Sequence, residues 1–170
     1  MAYASAQLED LIADYLTLGS SSTSGEASTN HSISFDLSTI NSEWAGTNGY
    51  IKLALATDST LTGRFSSFTE VSGNSYARVN DDANTSGYLK MIADSADGTW
   101  KNEYDISFAQ SSGSWGTVRW AILCYDDGSS DFPLMALPIG TVSSGTPAGL
   151  AVNNNTTLTF SAGDLKFTVA

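Results

Sequence analysis

A chain of 170 residues is long enough for one domain with a substantial core, and 41% hydrophobic content excludes a disordered chain. Only 15% of the residues are charged, so the surface is built from Ser, Thr, Asn and Gly, which favour turns and short strands. The formal net charge of −11, with Lys52, Arg64, Arg78, Lys90, Lys101, Arg119 and Lys166 scattered along the chain, argues against nucleic acid and anionic membranes as partners.

Residues 4–18 have the pattern of one amphipathic helix, with Leu8, Leu11, Ile12, Tyr15 and Leu16 on a single apolar face. Ser5 is placed to cap it and Gly19 to end it. The face packs either on its own domain or on a neighbouring subunit, so residues 1–19 are a candidate docking arm. The start of the chain lacks a basic segment, and Glu9, Asp10 and Asp14 interrupt its apolar pattern, so no signal peptide is expected. No apolar run reaches the roughly eighteen residues of a membrane span.

Residues 20–32 are polar and of low complexity, the pattern of a linker or long loop, with the sole histidine, His31, at its edge. From residue 33 to 170 the texture is that of a β domain. Strands are expected at 33–37, 50–56, 76–79, 88–92 and 104–108, and a central one at 118–125. Residues 132–139 carry Pro133 and Pro138, which predicts an edge or interrupted strand. Strands at 150–152, 156–160 and 165–169 complete the set, with turns at Asp127-Gly128 and Asn153-Asn154-Asn155. The fold class expected is all-β, a jelly-roll-like β-sandwich or barrel with one N-terminal amphipathic helix.

The chemistry-bearing residues point away from catalysis. His31 is the only histidine and Cys124 the only cysteine, so neither a Ser-His-Asp triad nor a His/Cys zinc site is expected. Cys124 lies in the apolar run 120–125, where a buried, inert thiol is expected. The pairs Asp81-Asp82 and Asp126-Asp127 fall in turn-like contexts, and adjacent strand residues point to opposite faces, which is unsuited to paired-carboxylate glycoside hydrolysis. The Asp126–Asp131 segment offers oxygen ligands for calcium but lacks the EF-hand spacing, as do Asp94 and Asp97, and a hairpin loop is the simpler reading. No enzyme activity and no cofactor are expected. Trp115 and Trp120 are expected to be packing residues, whereas Trp44 and Trp100 sit in loop-like contexts, at a subunit interface or as a glycan platform.

Four stretches carry a family pattern. They are Tyr50-Ile51-Lys52-Leu53-Ala54-Leu55-Ala56-Thr57, then Glu70-Val71-Ser72-Gly73-Asn74-Ser75-Tyr76-Ala77-Arg78, then Ile106 to Phe108 followed by Trp115-Gly116-Thr117-Val118, and finally Leu158-Thr159-Phe160-Ser161-Ala162-Gly163-Asp164-Leu165. Together they resemble a family of small structural proteins of tailed bacteriophages, often labelled tail fibre proteins, some of which are similar to capsid cement or decoration proteins. The motifs are turns and packing aromatics, with Arg78 expected to pair with a carboxylate such as Glu70 or Asp164. The resemblance implies a virion protein made in the host cytoplasm. Its first-choice role is a capsid cement protein that binds the major capsid protein and copies of itself as a dimer or trimer. The alternative is a tail-fibre, baseplate or receptor-binding component that contacts host glycans.

Overall fold

The computed structural model describes residues 3–4, 51–61, 65–80, 89–93, 99–109, 111–126, 128–129 and 131–168. Among them the regular elements are all strands. They are β1 (Tyr3–Ala4), β2 (Ile51–Ala56), β3 (Val79–Asn80), β4 (Met91–Ala93), β5 (Thr99–Asn102), β6 (Ile106–Ser107) and β7 (Gly116–Val118), then β8 (Trp120–Asp126), β9 (Asp131–Pro138), β10 (Val142–Ser143), β11 (Thr146–Pro147), β12 (Leu150–Val152), β13 (Thr159–Phe160) and β14 (Lys166–Thr168). The all-β expectation holds for these residues. The barrel form of it does not, because the strands lie in open sheets. Ala4, expected to open the helix, is instead paired with Met135 in β1; the rest of that helix, the linker at 20–32 and the strand at 33–37 lie outside the described residues.

The largest sheet has the order β1-β9-β8-β2-β3, with every pairing antiparallel. β8 is its middle strand, as its unbroken apolar run predicts, and all its side chains from Trp120 to Tyr125 are buried. Alternation sorts them onto two faces. Leu123 and Tyr125 join Ile51, Leu53 and Leu55 of β2 in the main core. Trp120, Ile122 and Cys124 join Ala54, Ala56 and Ala136 in a smaller layer, closed by Leu61 and Phe65. The sheet is thus covered on both faces, which is why β2, β8 and β9 read as near-continuous apolar runs.

The expected strand over 118–125 is divided at Arg119. Its N–H donates to the Ala56 carbonyl (2.9 Å) and its carbonyl accepts from Ile139 N–H (2.7 Å), which ties the break to the ends of β2 and β9. Val118 meanwhile belongs to β7, which turns away to pair with β12. The prolines of β9 act as anticipated. Cys124 faces Pro133 while Leu123 faces Met135, so Leu134 is an extra residue in the ladder, a bulge at the point where Pro133 offers no N–H.

The second layer is made of small sheets: β12-β7, β13-β6 and β14-β5-β4. Their inward residues Met91, Ile106, Val118 and Val152, with Leu165 just before β14, fill the other side of the main core. Two buried polar side chains fix its loops. Asn102 donates to the carbonyls of Tyr104 (2.8 Å) and Ser161 (2.9 Å) and accepts from Leu165 N–H (2.9 Å). Ser111 donates to the Asn153 carbonyl and accepts from Thr156 N–H (3.2 Å), holding the asparagine turn. A buried amide with its hydrogen bonds made is tolerated in a core, whereas an unmade one is costly.

Gly149 marks where the hairpin region meets β7. Its φ is +71°, and a Cβ there would lie 2.7 Å from the Val118 carbonyl oxygen. Gly145, at φ +80°, has open space around it. Gly149→Ala should therefore lose about 2–4 kcal/mol in chemical denaturation, against about 1 kcal/mol for Gly145→Ala. Equal losses would show that the close approach at Gly149 does not matter.

Candidate functional site: an arginine-centred ion network

The Glu70–Arg78 stretch builds a five-residue ion network with Lys52, Asp126 and Asp131. Glu70 bridges to Ala56 beside β2, with Val71 N–H bonded to the Leu55 carbonyl (3.0 Å). The chain then reverses through Gly73, Asn74 and Ser75, whose φ values of 70°, 51° and 64° are all left-handed. Such a run is unfavourable for Ser75 and needs outside support. The support is present: Tyr76 N–H donates to the Gly73 carbonyl (2.9 Å), and Asn74 Nδ2 donates to the Ser114 carbonyl (2.8 Å). Trp115 Nε1 donates to the Asn74 carbonyl (3.0 Å). Trp115 is buried and meets the Tyr76 ring edge-on at 5.5 Å, while Tyr76 stacks against Phe108 at 6.1 Å.

This turn brings Tyr76 and Arg78 together on the Glu70 carboxylate. The Tyr76 hydroxyl accepts from Leu55 N–H (2.9 Å) and donates to Glu70 Oε1 (2.8 Å). Burial, joined by the neighbouring Glu70 carboxylate, pushes the phenol well above its ordinary range. Arg78 lies where the apolar contents of the smaller layer end and Lys52, Asp126 and Asp131 begin. Its Nε and Nη2 donate to both Glu70 oxygens at 2.8 and 2.7 Å. Its Nη1 and Nη2 donate to both Asp131 oxygens at 2.8 and 3.0 Å, and Nη1 reaches Asp126 Oδ2 at 3.4 Å. Both faces of the guanidinium fork are therefore bidentate, the strongest geometry available to arginine.

Lys52 Nζ completes the network, 2.8 Å from Asp126 Oδ2. At Asp126, partial burial acts to raise the carboxyl, but Lys52, the Gly128 N–H and Arg78 together outweigh it, and the group is held below its ordinary value. Of the two expected partners for Arg78, the structure selects Glu70. Asp164 instead accepts from Ser161 N–H (2.8 Å) within its own turn. The Asp126–Asp131 hairpin forms, its ends paired across the ladder, and its carboxylates turn to Arg78 and Lys52. Among the described residues no group of three His, Cys, Asp or Glu is placed to hold a metal ion.

The other expected residues fall as follows. Leu8, Leu11, Ile12, Tyr15, Leu16, His31, Trp44, Asp81, Asp82, Asp94, Asp97 and Asp127 lie outside the described residues. Trp100 is not in a loop: it is in β5, in register with Ala93 and Phe167. The adjacent Asp97-Gly98 suggested a turn and hid a four-residue strand. Cys124 is buried, and burial raises its thiol far above the ordinary range. Lys52 and Asp131 were missed as network members, since their pairing depends on sheet register, which no local pattern reveals.

Above the network, Ser66, Phe68, Phe132 and Pro133 frame a cleft of about 260 Å³ whose floor is Arg78 with Glu70 and Asp131. Glu70, Asp126 and Asp131 together engage every nitrogen of that guanidinium, so the cleft offers no free arginine donor to an anion.

The fold and this cluster define an all-β packing domain in which the main charged network ties strands to one another. The family model described as Podophage GP4 fiber I protein gp80 matches residues 45–168, and the chain belongs to that phage fibre family. The match covers all four motif stretches from which the bacteriophage resemblance was drawn. No curated protein and no solved structure matches the chain.

Arg78→Met keeps much of the side-chain volume but leaves Glu70, Asp126 and Asp131 facing one another. It should lower the unfolding free energy by about 2–3 kcal/mol at neutral pH, less than a fully buried pair would lose because the site is partly exposed. Asp126 has a folded-state value below its unfolded one, so its contribution is complete above the unfolded value of about 3.9 and is lost as pH falls through the folded value. The gap between wild type and variant should accordingly narrow below about pH 4 in urea titrations. A gap independent of pH would assign the loss to packing of the arginine stem.

Proposed function

We propose that the protein is a structural component of a phage virion, a fibre-type building block that acts by binding and joining subunits and not by catalysis. The observation that carries this reading is the match of the fibre-protein family to residues 45–168, which takes in the whole Arg78 network and both core layers. The physical design supports it. The left-handed turn, the bidentate arginine and the buried Asn102 and Ser111 all hold strands and loops in place. A rigid, acidic β domain with a polar, weakly charged surface suits a part exposed on the outside of a particle.

The capsid cement role suggested by the motifs is the competing placement. In that role bound copies would favour the assembled shell by mass action, bridging major capsid subunits. It rests on motif resemblance alone, whereas the family description names a fibre. Contact with host glycans belongs to the fibre reading. Of the two loop tryptophans considered for that contact, Trp100 is placed in a strand; Tyr104 is an exposed aromatic, with the Lys90 ammonium 5.6 Å from its ring centre.

Cryo-electron microscopy of the purified particle decides the placement. Density for this β domain is expected on a tail appendage. Density distributed over the capsid lattice would replace the fibre reading with the cement one, and absence from the particle would overturn both.

A further inference from the structure

The cleft above the ion network has walls that the network itself does not require. Its floor is charged, but Phe68, Phe132 and Pro133 line its sides, together with the exposed hydroxyls of Ser66 and Ser67. Phe68 packs against the smaller layer and Phe132 stacks on Tyr125 at 5.3 Å, so both rings are held from behind. The bulge at Leu134 follows directly on Pro133, and bulges re-aim side chains next to binding sites. Concave apolar surface with a few fixed polar groups is the make-up of a small-molecule site. At about 260 Å³ the cleft is just under the size that takes a drug-sized ligand, which suits a single ring.

The hydrogen-bonding character of the floor selects the ligand. Each Asp131 oxygen accepts one bond from Arg78, at 2.8 and 3.0 Å, and a carboxylate has about four acceptor positions, so each oxygen keeps one. The Asp131 side chain is 53% exposed and lines the cleft. Its bidentate bond to Arg78 fixes the plane of the carboxylate, leaving two adjacent acceptors already oriented. An anion finds no donor here, because Arg78 commits every nitrogen to Glu70, Asp126 and Asp131. A cation would have to settle beside the charge of Arg78, on carboxylates that Arg78 already neutralises. The chemistry that fits is a neutral ring with neighbouring O–H donors at its edge and C–H groups on its face. The slightly positive C–H hydrogens pack on the negative face of an aromatic ring.

We infer that this cleft binds one neutral pyranose ring of a glycan. Two adjacent hydroxyls of the sugar donate to Asp131, the hydroxyls of Ser66 and Ser67 complete the polar side, and the C–H face of the ring lies against Phe68. Arg78 and Glu70 do not bind the sugar through free donors; they hold Asp131 and the floor in place. The inference rests on the fibre reading for its biological meaning, while the geometry is the same wherever the protein sits. A single ring in an open cleft binds weakly, at about millimolar affinity, which copies repeated on a particle raise by avidity.

The test titrates the isotope-labelled full chain with D-glucose, D-galactose, D-mannose, L-rhamnose and N-acetyl-D-glucosamine, following amide chemical shifts. N-acetylneuraminic acid and methylammonium serve as charged controls. Saturable shifts at residues 66–70 and 131–134 are expected with at least one neutral sugar, at lower concentration than with either control. Asp131→Asn, which puts an amide donor where one acceptor stands, should weaken binding at least tenfold. Ser67→Ala, outside the ion network, should weaken it about threefold, and provides the test if circular dichroism shows Asp131→Asn to be unfolded. No saturable shift with any of these sugars overturns the inference. So do shifts centred elsewhere, binding that neither variant changes, or a charged control that binds as tightly. Sugar binding at the cleft of a protein that microscopy places on the capsid lattice would overturn the fibre reading and leave the cleft standing. Density on a tail appendage without sugar binding would do the reverse.

Discussion

β8 lies between β2 and β9 with a packed layer on each face, and every side chain from Trp120 to Tyr125 is buried. A strand in that position has no solvent side on which to place polar residues, and the constraint spreads outward from it. β2 must supply large aliphatics to one face and alanines to the other, as Ile51, Leu53 and Leu55 alternate with Ala54 and Ala56. The smaller layer holds Trp120, whose Nε1 still finds a partner in the Asp58 carbonyl at 2.9 Å, beside Ile122, Leu61 and Phe65. Cys124 is accommodated there as a small apolar side chain.

Such a layer has to end somewhere, and it ends in charge. Along the face shared by Ile122 and Cys124, the next residue of β8 is Asp126, opposite Asp131 of β9 and beside Lys52 of β2. Carboxylates gathered at the end of an apolar layer repel unless a cation sits among them. Arg78 fills that place because its fork binds Glu70 and Asp131 in parallel pairs, which a lysine has no geometry to do. The strained turn at residues 73–75 delivers the arginine to that point, and the Trp115–Asn74 bond holds the turn. Packing, backbone strain and electrostatics are therefore one arrangement, and the motif Glu70 to Arg78 is its linear trace.

What was legible from the linear chain reflects how local each signal is. The central position of β8 and the interruption of β9 at Pro133 follow from composition and from a missing N–H, both local properties. Glu70 as the partner of Arg78 was within reach because the two lie on one short motif. Asp131 and Lys52 were not, since they are brought there by β8–β9 and β2–β8 register. Trp100 was misplaced for a related reason: β5 is held by neighbours distant in sequence, and the turn residues beside it dominated the local pattern. The break at Arg119 was invisible because an apolar run does not show that the strand before it pairs with β12 and the strand after it with β2.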